Sequence, residues 1–336
     1  MTPAELSRTV RHAVCRAVRD GELAVAVPDS VHVERPRPGG TGDWTTNAAL
    51  RLAAEAGRPP RLVAEVLRDR LASPALARVD ITGPGFLNFT LAAAAAEPAL
   101  ARIRAEGARY GHGDALAGLA PRFAPAAEPR AAAWTAAVVR LLRTQGADAA
   151  VAPGGTETVR VAPAPASYDP AALGPDASSW ALLRPAAHDL PRTDPGPLLA
   201  QREGNPLFLV RYAHARARAA LRAAPAFGLA PDAATPDAAT PGALGRGRAR
   251  TLLDVLADHP RVLAASARHR APDRLARHLE ATADHTLRFL AESRPLPVGD
   301  EKPSAAHRAR LALAEAAGTV LAGGLTLLGV DAPAHL

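Results

Sequence analysis

The chain has 336 residues, of which 48% are hydrophobic, and its formal net charge is +7. This length and apolar content allow two folded domains with separate cores and exclude a disordered chain. An internal disulfide is excluded because Cys15 is the only cysteine; its apolar neighbours indicate a core thiol, and a reactive thiol is the alternative. Only Lys302 among the 40 basic residues is a lysine, so a reaction that needs lysine has one candidate.

The positive charge is concentrated in one part of the chain. Residues 202–310 contain 18 basic and 11 acidic residues, an excess equal to the net charge of the whole chain. A basic segment joined to a neutral one favours a polyanionic partner, and a solvated arginine-rich surface is the alternative. No apolar run approaches the ~20 residues that span a bilayer, and the first residues lack the apolar centre of a signal peptide. We therefore predict a cytoplasmic protein with no membrane partner.

Residues 1–110 predict a compact α+β domain. The apolar periodicity indicates helices at residues 3–19, 44–56, 60–72 and 92–106, the first with Thr2 as its cap. Alternation at Val31 and Val33 predicts a strand, and the glycine-rich stretch GGTGDW predicts a turn. The segment around Gly83-Pro84-Gly85 predicts either a pair of strands or one bent strand.

Residues 111–200 predict a degenerate α/β or irregular segment. We expect a helix at residues 131–145, a strand from Val159 to Val161 and a helical turn in SSWALLR, with prolines interrupting the rest.

Residues 201–336 predict an all-helical antiparallel bundle, which makes the whole chain predominantly helical. Its first helix follows the cap Asn205, and others are expected near residues 249–258, 260–269, 271–292 and 303–329. Gly323-Gly324 predicts an end or a kink in the last helix. The repeat PDAATPDAAT predicts a disordered loop insertion.

Two stretches resemble one known family. The N-terminal additional domain of arginyl-tRNA synthetases is similar to GDWTTNAALRLAAEAGRPPRLVAEVL followed by VDITGPGFLNFTL. The C-terminal anticodon-binding bundle of that family, the DALR domain, is similar to GNPLFLVRYAHARARAAL and to the chain that follows RAPDRLARHLEATADHTLRFL. The two stretches occur in the family's order at opposite ends of the chain.

The resemblance leaves little room for the family's catalytic domain. Such a doubly wound domain with its insertions normally exceeds ~150 residues, and residues 111–200 read as its remnant. Where the family has its histidine-containing ATP motif, this chain has AAEPRAAAW, and a lysine-rich signature loop is excluded. We therefore expect no catalytic residue, with ATP and magnesium as cofactors only if the family's activity survives. The sequence shows no P-loop and no metal-binding pattern.

Several residues match positions that bind RNA. In the N-terminal domain the family reads the tRNA elbow with an aromatic residue and an asparagine, which correspond to Phe86 and Asn88. Core packing for Phe86 and a turn role for Asn88 are the alternatives.

The bundle offers two basic patches. One helix face carries a stripe at spacings of three and four residues, with Tyr212 beside it: Arg211, His214, Arg218 and Arg222. A second patch consists of Arg268, Arg270, Arg274 and Arg277. Guanidinium groups suit phosphates because their planar fork bonds two oxygens, and a solvated arginine face is the alternative.

These observations leave three functional hypotheses. The first is a synthetase-like paralogue without catalysis that binds tRNA as a regulator, carrier or adaptor, with arginine tRNA as the first candidate. The second is an arginine–tRNA ligase that works alone or with a catalytic partner in trans. The third is a protein-interaction module that docks on a synthetase or a metabolic enzyme. The third is favoured by Leu290 and Ser293, which stand where the family often has tyrosine and cysteine.

Overall fold

The computed structural model describes residues 3–34, 36, 42–91, 96–232, 244 and 247–336. They form two compact units, Met1–Pro98 and Ala99–Leu336. The α-helices are α1 (Pro3–Arg19), α2 (Ala48–Ala56), α3 (Pro60–Asp69), α4 (Ala96–Glu106), α5 (Pro129–Thr144), α6 (Pro170–Leu183), α7 (Pro195–Leu199), α8 (Pro206–Ala223), α9 (Gly247–Arg268), α10 (Pro272–Glu292) and α11 (Ala305–Leu328). The strands are β1 (Trp44–Thr46), β2 (Leu76–Thr82), β3 (Phe86–Leu91), β4 (Arg122–Phe123) and β5 (Ala150–Val151). The predominantly helical fold expected from the sequence is confirmed.

The first unit is built on a three-stranded antiparallel sheet in the order β1-β3-β2. Alternation along β3 places Leu87 and Phe89, both fully buried, in one core with α1, α2 and α3. The same alternation turns Phe86 and Asn88 to the opposite face of the sheet. The predicted pair of strands is confirmed as β2 and β3.

The turn between β2 and β3 requires a glycine. Gly85 has a φ of +145°, and a Cβ there would lie 2.8 Å from the carbonyl oxygen of Pro60. This close approach places the start of β3, where Phe86 lies, beside the first turn of α3.

Two local predictions for this unit are wrong. The helix expected from residue 44 begins at Ala48, because Trp44–Thr46 pairs with β3 as an edge strand and buries the Trp44 side chain. Val31 to Val33 is not a strand; only Glu34 forms an isolated bridge, with Thr45. Thr2 and the first half of the glycine-rich turn, residues 39–41, lie outside the described residues.

The middle of the chain folds as one small β-α-β unit. β4 and β5 pair in parallel through Arg122–Ala150 and Phe123–Val151, and α5 connects them. The strand expected at Val159 to Val161 does not form, and these valines pack partly buried against the core instead. This core includes Trp134 of α5, Trp180 of α6, Leu263 of α9 and Leu279 of α10, so the middle segment and the bundle share it.

The bundle differs from the prediction at two points. The helices expected at 249–258 and 260–269 form the single helix α9, which continues through Pro260 because buried leucines on both sides, Leu256 and Leu263, hold it in the core. α11 neither ends nor kinks at Gly323-Gly324; it ends at Leu328 and is capped by Gly329, whose φ is +73°. The repeat PDAATPDAAT lies outside the described residues except for its first two.

α11 is long and apolar enough to cross a membrane by length and composition. However, 67% of its most apolar window is buried inside the bundle, which is the environment of a core helix. Its close packing depends on Gly324, where a Cβ would lie 2.4 Å from Cδ2 and 3.1 Å from Cγ of Leu279 on α10.

We expect Gly324→Ala to destabilise the protein relative to Gly323→Ala. Both changes raise helix propensity, but only the first places a methyl group inside the contact of α10 with α11, where Leu279 is fully buried. The two variants should differ by ~1–3 kcal/mol in the free energy of unfolding, measured by urea denaturation. At position 323 the nearest atom would be 3.5 Å away, so that variant is the control. Equal stabilities would contradict the assigned contact.

Candidate nucleic-acid interface

Phe86 and Asn88 lie on one face of the first unit's sheet and differ in accessibility. The Phe86 ring is 36% exposed, so it is open to a stacking base. Asn88 is 4% exposed, and its Nδ2 donates to Thr82 Oγ1 at 2.6 Å. Its neighbours on the adjacent strands are Thr45 and Asp80. The structure therefore offers the aromatic ring to a ligand, whereas the amide already bonds within the sheet.

Three of the four side chains in the α8 stripe have partners within the chain. Arg211 Nη2 pairs with Asp176 Oδ2 at 3.0 Å. His214 is 5% exposed, and its Nδ1 donates to the carbonyl oxygen of Pro333 at 3.0 Å. Arg222 Nη1 donates to the carbonyl oxygen of Ala334 at 3.0 Å.

The C-terminal residues therefore cover part of this helix face. Arg222 Nη2 also lies 3.3 Å from Nδ1 of His335. Burial first, and then the charges of Arg218 and Arg222, lower the pKa of His214. Arg218 is exposed, and its guanidinium makes neither a hydrogen bond nor an ion pair with the described residues. Of the stripe, it is the arginine that an external phosphate can reach without displacing a partner.

Tyr212 belongs to a separate stack of side chains on α8, the Tyr212 stack, which consists of Phe208, Tyr212 and Arg216. Its ring stacks on Phe208 with 5.5 Å between centroids. The Arg216 guanidinium lies 5.6 Å from the Tyr212 ring centroid, and its Nη1 donates to the Tyr212 hydroxyl at 2.9 Å. An aromatic pair next to an arginine is a surface that suits an unstacked base and its phosphate.

The structure divides the second basic patch. Arg270 turns towards the β-α-β unit, where it pairs with Glu157 and its Cζ lies 5.2 Å from the Phe123 ring centroid. Arg277 pairs with Asp273 one turn earlier on α10. Arg274 is exposed, and its guanidinium has no hydrogen-bond or ion-pair partner in the described ranges. Arg268, at the end of α9, is also exposed.

The Glu128 carboxylate caps the N-terminus of α5. Glu128 Oε1 accepts from the backbone N–H groups of Arg130 (3.1 Å) and Ala164 (2.8 Å), and Oε2 accepts from Ala131 N–H (2.6 Å). A helix N-terminus after a strand is where nucleotide-binding folds hold a phosphate. Burial would raise the pKa of Glu128, but these three N–H donors and Arg130 outweigh it and lower the pKa.

Arg130 fills the space beside this cap. It is fully buried, and its Cζ lies 5.3 Å from the Trp134 ring centroid. Its N–H groups donate to the carbonyl oxygens of Leu182 (Nε, 2.9 Å), Ala162 and Asp189 (Nη1, 2.8 and 2.6 Å), and Pro185 and Ala186 (Nη2, 3.1 and 2.8 Å). A guanidinium has five N–H donors, so each one has a partner.

Sequence reasoning did not assign roles to Glu128, Arg130 or Asp176. The signal for the first two was present, because Glu-Pro-Arg at a helix start combines a capping carboxylate with proline in the first turn. No local pattern connects Asp176 with Arg211. Among the described residues no group of histidine, cysteine or carboxylate side chains could hold a metal ion.

Comparisons with known proteins give two domain matches. Residues 4–91 match the arginyl tRNA synthetase N terminal domain, and residues 210–336 match the DALR anticodon binding domain. The arginine–tRNA ligase of Frankia alni is 54% identical over 114 residues, which are 33% of this chain and 20% of that protein. The enzyme of Renibacterium salmoninarum is 47% identical over 161 residues, 44% of this chain and 29% of that protein. The aligned parts thus span less than a third of these curated relatives.

Two solved structures have the same fold at low sequence identity. The Thermus thermophilus arginyl-tRNA synthetase superposes with a TM-score of 0.67 at 15% identity. The Plasmodium falciparum arginyl-tRNA synthetase gives a TM-score of 0.70 at 6% identity. Both alignments cover 100% of this chain and 100% of the other.

We expect Arg130→Lys to lower the free energy of unfolding by about 3 kcal/mol or more, because an ammonium has three donors and leaves buried carbonyl oxygens unpaired. Arg218→Lys is the control, since Arg218 is exposed and should change stability by no more than about 0.5 kcal/mol. Thermal and urea unfolding of both variants provide the measurement. Equal stability of the two variants would refute the structural role of Arg130.

We expect the contribution of Glu128 to stability to depend on pH. Its folded-state pKa lies below the usual 4.5, so the stabilisation is present above that value and is lost as the pH falls through the folded-state pKa. Glu128→Gln should therefore be less stable than wild type at pH 7, and the difference should shrink in acid. Unfolding free energies measured across this range, with the exposed Glu203→Gln as control, test the prediction. A constant difference would contradict it.

Proposed function

This chain belongs to the arginyl-tRNA synthetase family, with that family's N-terminal domain and DALR anticodon-binding domain at its two ends, and we propose that it binds tRNA without aminoacylating it. The observation that carries tRNA binding is the pair of domain matches. Residues 92–209, which neither domain model matches, contain the small β-α-β unit. We infer a role as regulator, carrier or adaptor, with arginine tRNA as the first candidate partner.

The geometry around α5 supports the loss of catalysis. The Glu128 carboxylate binds the N–H groups that a nucleotide phosphate would use, and Arg130 is committed to carbonyl oxygens in the same region. A phosphate at this helix end would meet the negative charge of Glu128 at close range. Binding ATP there would require the chain to release the cap of α5 and the bond to Ala164.

The exposed groups described above support RNA contact. Phe86 offers a ring for stacking, and Arg218 and Arg274 offer guanidinium groups without partners among the described residues. The Tyr212 stack adds a second aromatic surface. The basic balance of residues 202–310 supports electrostatic attraction of a polyanion.

A protein-interaction role is the second candidate. It is favoured by the α8 stripe, because Arg211, His214 and Arg222 are bonded within the chain. A synthetase or a metabolic enzyme that copurifies in equal amount, with no RNA bound, would support this role over tRNA binding.

We expect Phe86→Ala to weaken tRNA binding about tenfold, because one aromatic–base stack is lost. Phe227→Ala removes a ring of similar exposure, 42%, from the second unit and is the matched control. Binding should be measured by filter retention with tRNA copurified from the host, at two salt concentrations. We expect affinity to fall steeply with salt.

Two results would contradict the proposed function. If no tRNA is retained at low salt, tRNA binding is wrong and a protein partner becomes the better explanation. If the purified chain catalyses arginine-dependent exchange of pyrophosphate into ATP, the chain is a ligase and the loss of catalysis is wrong.

A further inference from the structure

Residues 331–335 form a segment of irregular backbone beside α8, which we call the strap. It follows Val330, which is 2% exposed and belongs to the core. An extended chain rises about 3.3 Å per residue, so the strap can span about 16 Å. Arg211 and Arg222, the outer members of the α8 stripe, are also about 16 Å apart along the axis of an α-helix. The strap is therefore long enough to follow the whole stripe.

Asp176 on α6 holds the beginning of the strap. Its Oδ1 accepts from the Asp331 N–H at 3.0 Å, and its Oδ2 lies 3.0 Å from Arg211 Nη2. One carboxylate thus bonds to the strap and at the same time neutralises the first arginine of the stripe.

Two side chains of the stripe donate to the strap further along α8. His214 Nδ1 donates to the carbonyl oxygen of Pro333, and Arg222 Nη1 donates to that of Ala334, both at 3.0 Å. Arg222 Nη2 also lies 3.3 Å from His335 Nδ1. The oxygens of a phosphate would need these same N–H donors. The strap and an RNA backbone therefore compete for His214 and Arg222.

The strap is held by hydrogen bonds more than by packing. All of residues 331–336 are half-buried or exposed, although Ala332 contacts the core in part. The side chain beneath the strap, His214, is 5% exposed. Release of the strap would break a few hydrogen bonds and uncover little apolar surface, and segments of this kind open at a lower free energy than a core helix. An anionic ligand that supplies new acceptors can therefore displace it.

Arg218 lies between the two covered side chains on α8. It is one helical turn from both His214 and Arg222. It is exposed, and its guanidinium has no hydrogen-bond or ion-pair partner in the part of the chain that the structure describes. With the strap in place, Arg218 is the member of the stripe that a phosphate can contact directly. With the strap released, His214 and Arg222 would join it on the same face of α8.

We propose that the strap is an autoinhibitory element, which covers His214 and Arg222 until an RNA backbone displaces it from α8. Binding through this face then includes the cost of opening the strap, so the intrinsic affinity is reduced by the fraction of molecules that are open. The inference rests on the proposed function, because its ligand is the RNA that the chain is proposed to bind.

Two substitutions of Asp176 separate the effect of the strap from the effect of charge. Asp176→Asn removes the ion pair with Arg211 but keeps an oxygen that can accept from the Asp331 N–H. Asp176→Ala removes both contacts and therefore also loosens the strap. Asp284→Asn removes a carboxylate of equal charge from the ion pair with Arg288 on α10, so it controls for net charge.

The state of the strap is measured first, without RNA, from the pH titration of the His214 ring C–H signal by NMR. This signal is assigned by its loss in His214→Gln. Burial lowers the pKa of His214 while the strap is closed, so a loosened strap should move this pKa up towards its ordinary value. We expect a higher pKa in Asp176→Ala than in Asp176→Asn. Equal pKa values in the two variants would overturn the inference.

Affinity for tRNA copurified from the host is then measured by filter retention across a range of salt concentrations. We expect Asp176→Ala to bind about fivefold more tightly than Asp176→Asn, because the loss of one hydrogen bond raises the open population by about this factor. The slope of log affinity against log salt should steepen by about 0.9 for each additional phosphate contact. Asp284→Asn should remain close to wild type.

The binding results distinguish the strap from the proposed function. Equal affinities of the two Asp176 variants, with tRNA bound by wild type, overturn the autoinhibitory role and leave the proposed function standing. Binding by Asp176→Ala but not by wild type supports the strap and contradicts tRNA binding by the unaltered chain. If neither wild type nor any variant retains tRNA at low salt, both the proposed function and the inference that rests on it are wrong.

Discussion

The middle of this chain depends on the hydrogen bonds that the buried Arg130 guanidinium donates to backbone carbonyl oxygens. A charge removed from water is costly unless its hydrogen-bonding capacity is met, and here five carbonyl oxygens meet it. These oxygens belong to the end of α6 and to irregular chain around Ala162 and Asp189. Prolines interrupt these segments and lack the backbone N–H that strand pairing needs. The bonds from Arg130 fix the segments to the first turn of α5 instead. One side chain thus joins these segments, together with the backbone bond from Ala162 N–H to the carbonyl oxygen of Ala187.

At the same helix end, a geometry that suits an anion serves a contact within the chain. A strand followed by a helix N-terminus attracts anions because unpaired N–H groups and the helix dipole point outward. In this chain the anion is Glu128, three of whose contacts are backbone N–H groups. The β-α-β geometry persists because Phe123, Trp134 and Val138 contribute to a core shared with the bundle. Packing therefore holds the β-α-β unit in place, while the polar groups at the helix end bond within the chain.

The basic surfaces illustrate how arginine chemistry is ambiguous in a sequence. A guanidinium suits phosphate, carboxylate and carbonyl oxygens equally well in geometry, so a stripe at helical spacing does not reveal its partner. In the structure Arg211 meets Asp176, which is 35 positions away, and Arg222 meets the C-terminal residues. Arg218 and Arg274 differ from them only in what folds beside them. Exposure thus separates available arginines from structural ones.

The sequence by itself determined the helical bundle, the strands around Gly83-Pro84-Gly85 and the likeness to two domains of one family, because apolar periodicity, turn glycines and long matching segments are local properties. It also marked Phe86 and Asn88 as a pair, and once β3 forms they share a face because alternation along a strand has a period of two. Only the tertiary structure decided that Trp44 starts a strand, that α9 continues through Pro260 and that α11 passes Gly324 straight. It also decided which arginines remain open to a ligand. These outcomes depend on contacts between distant residues, whose packing and hydrogen bonds override local preference.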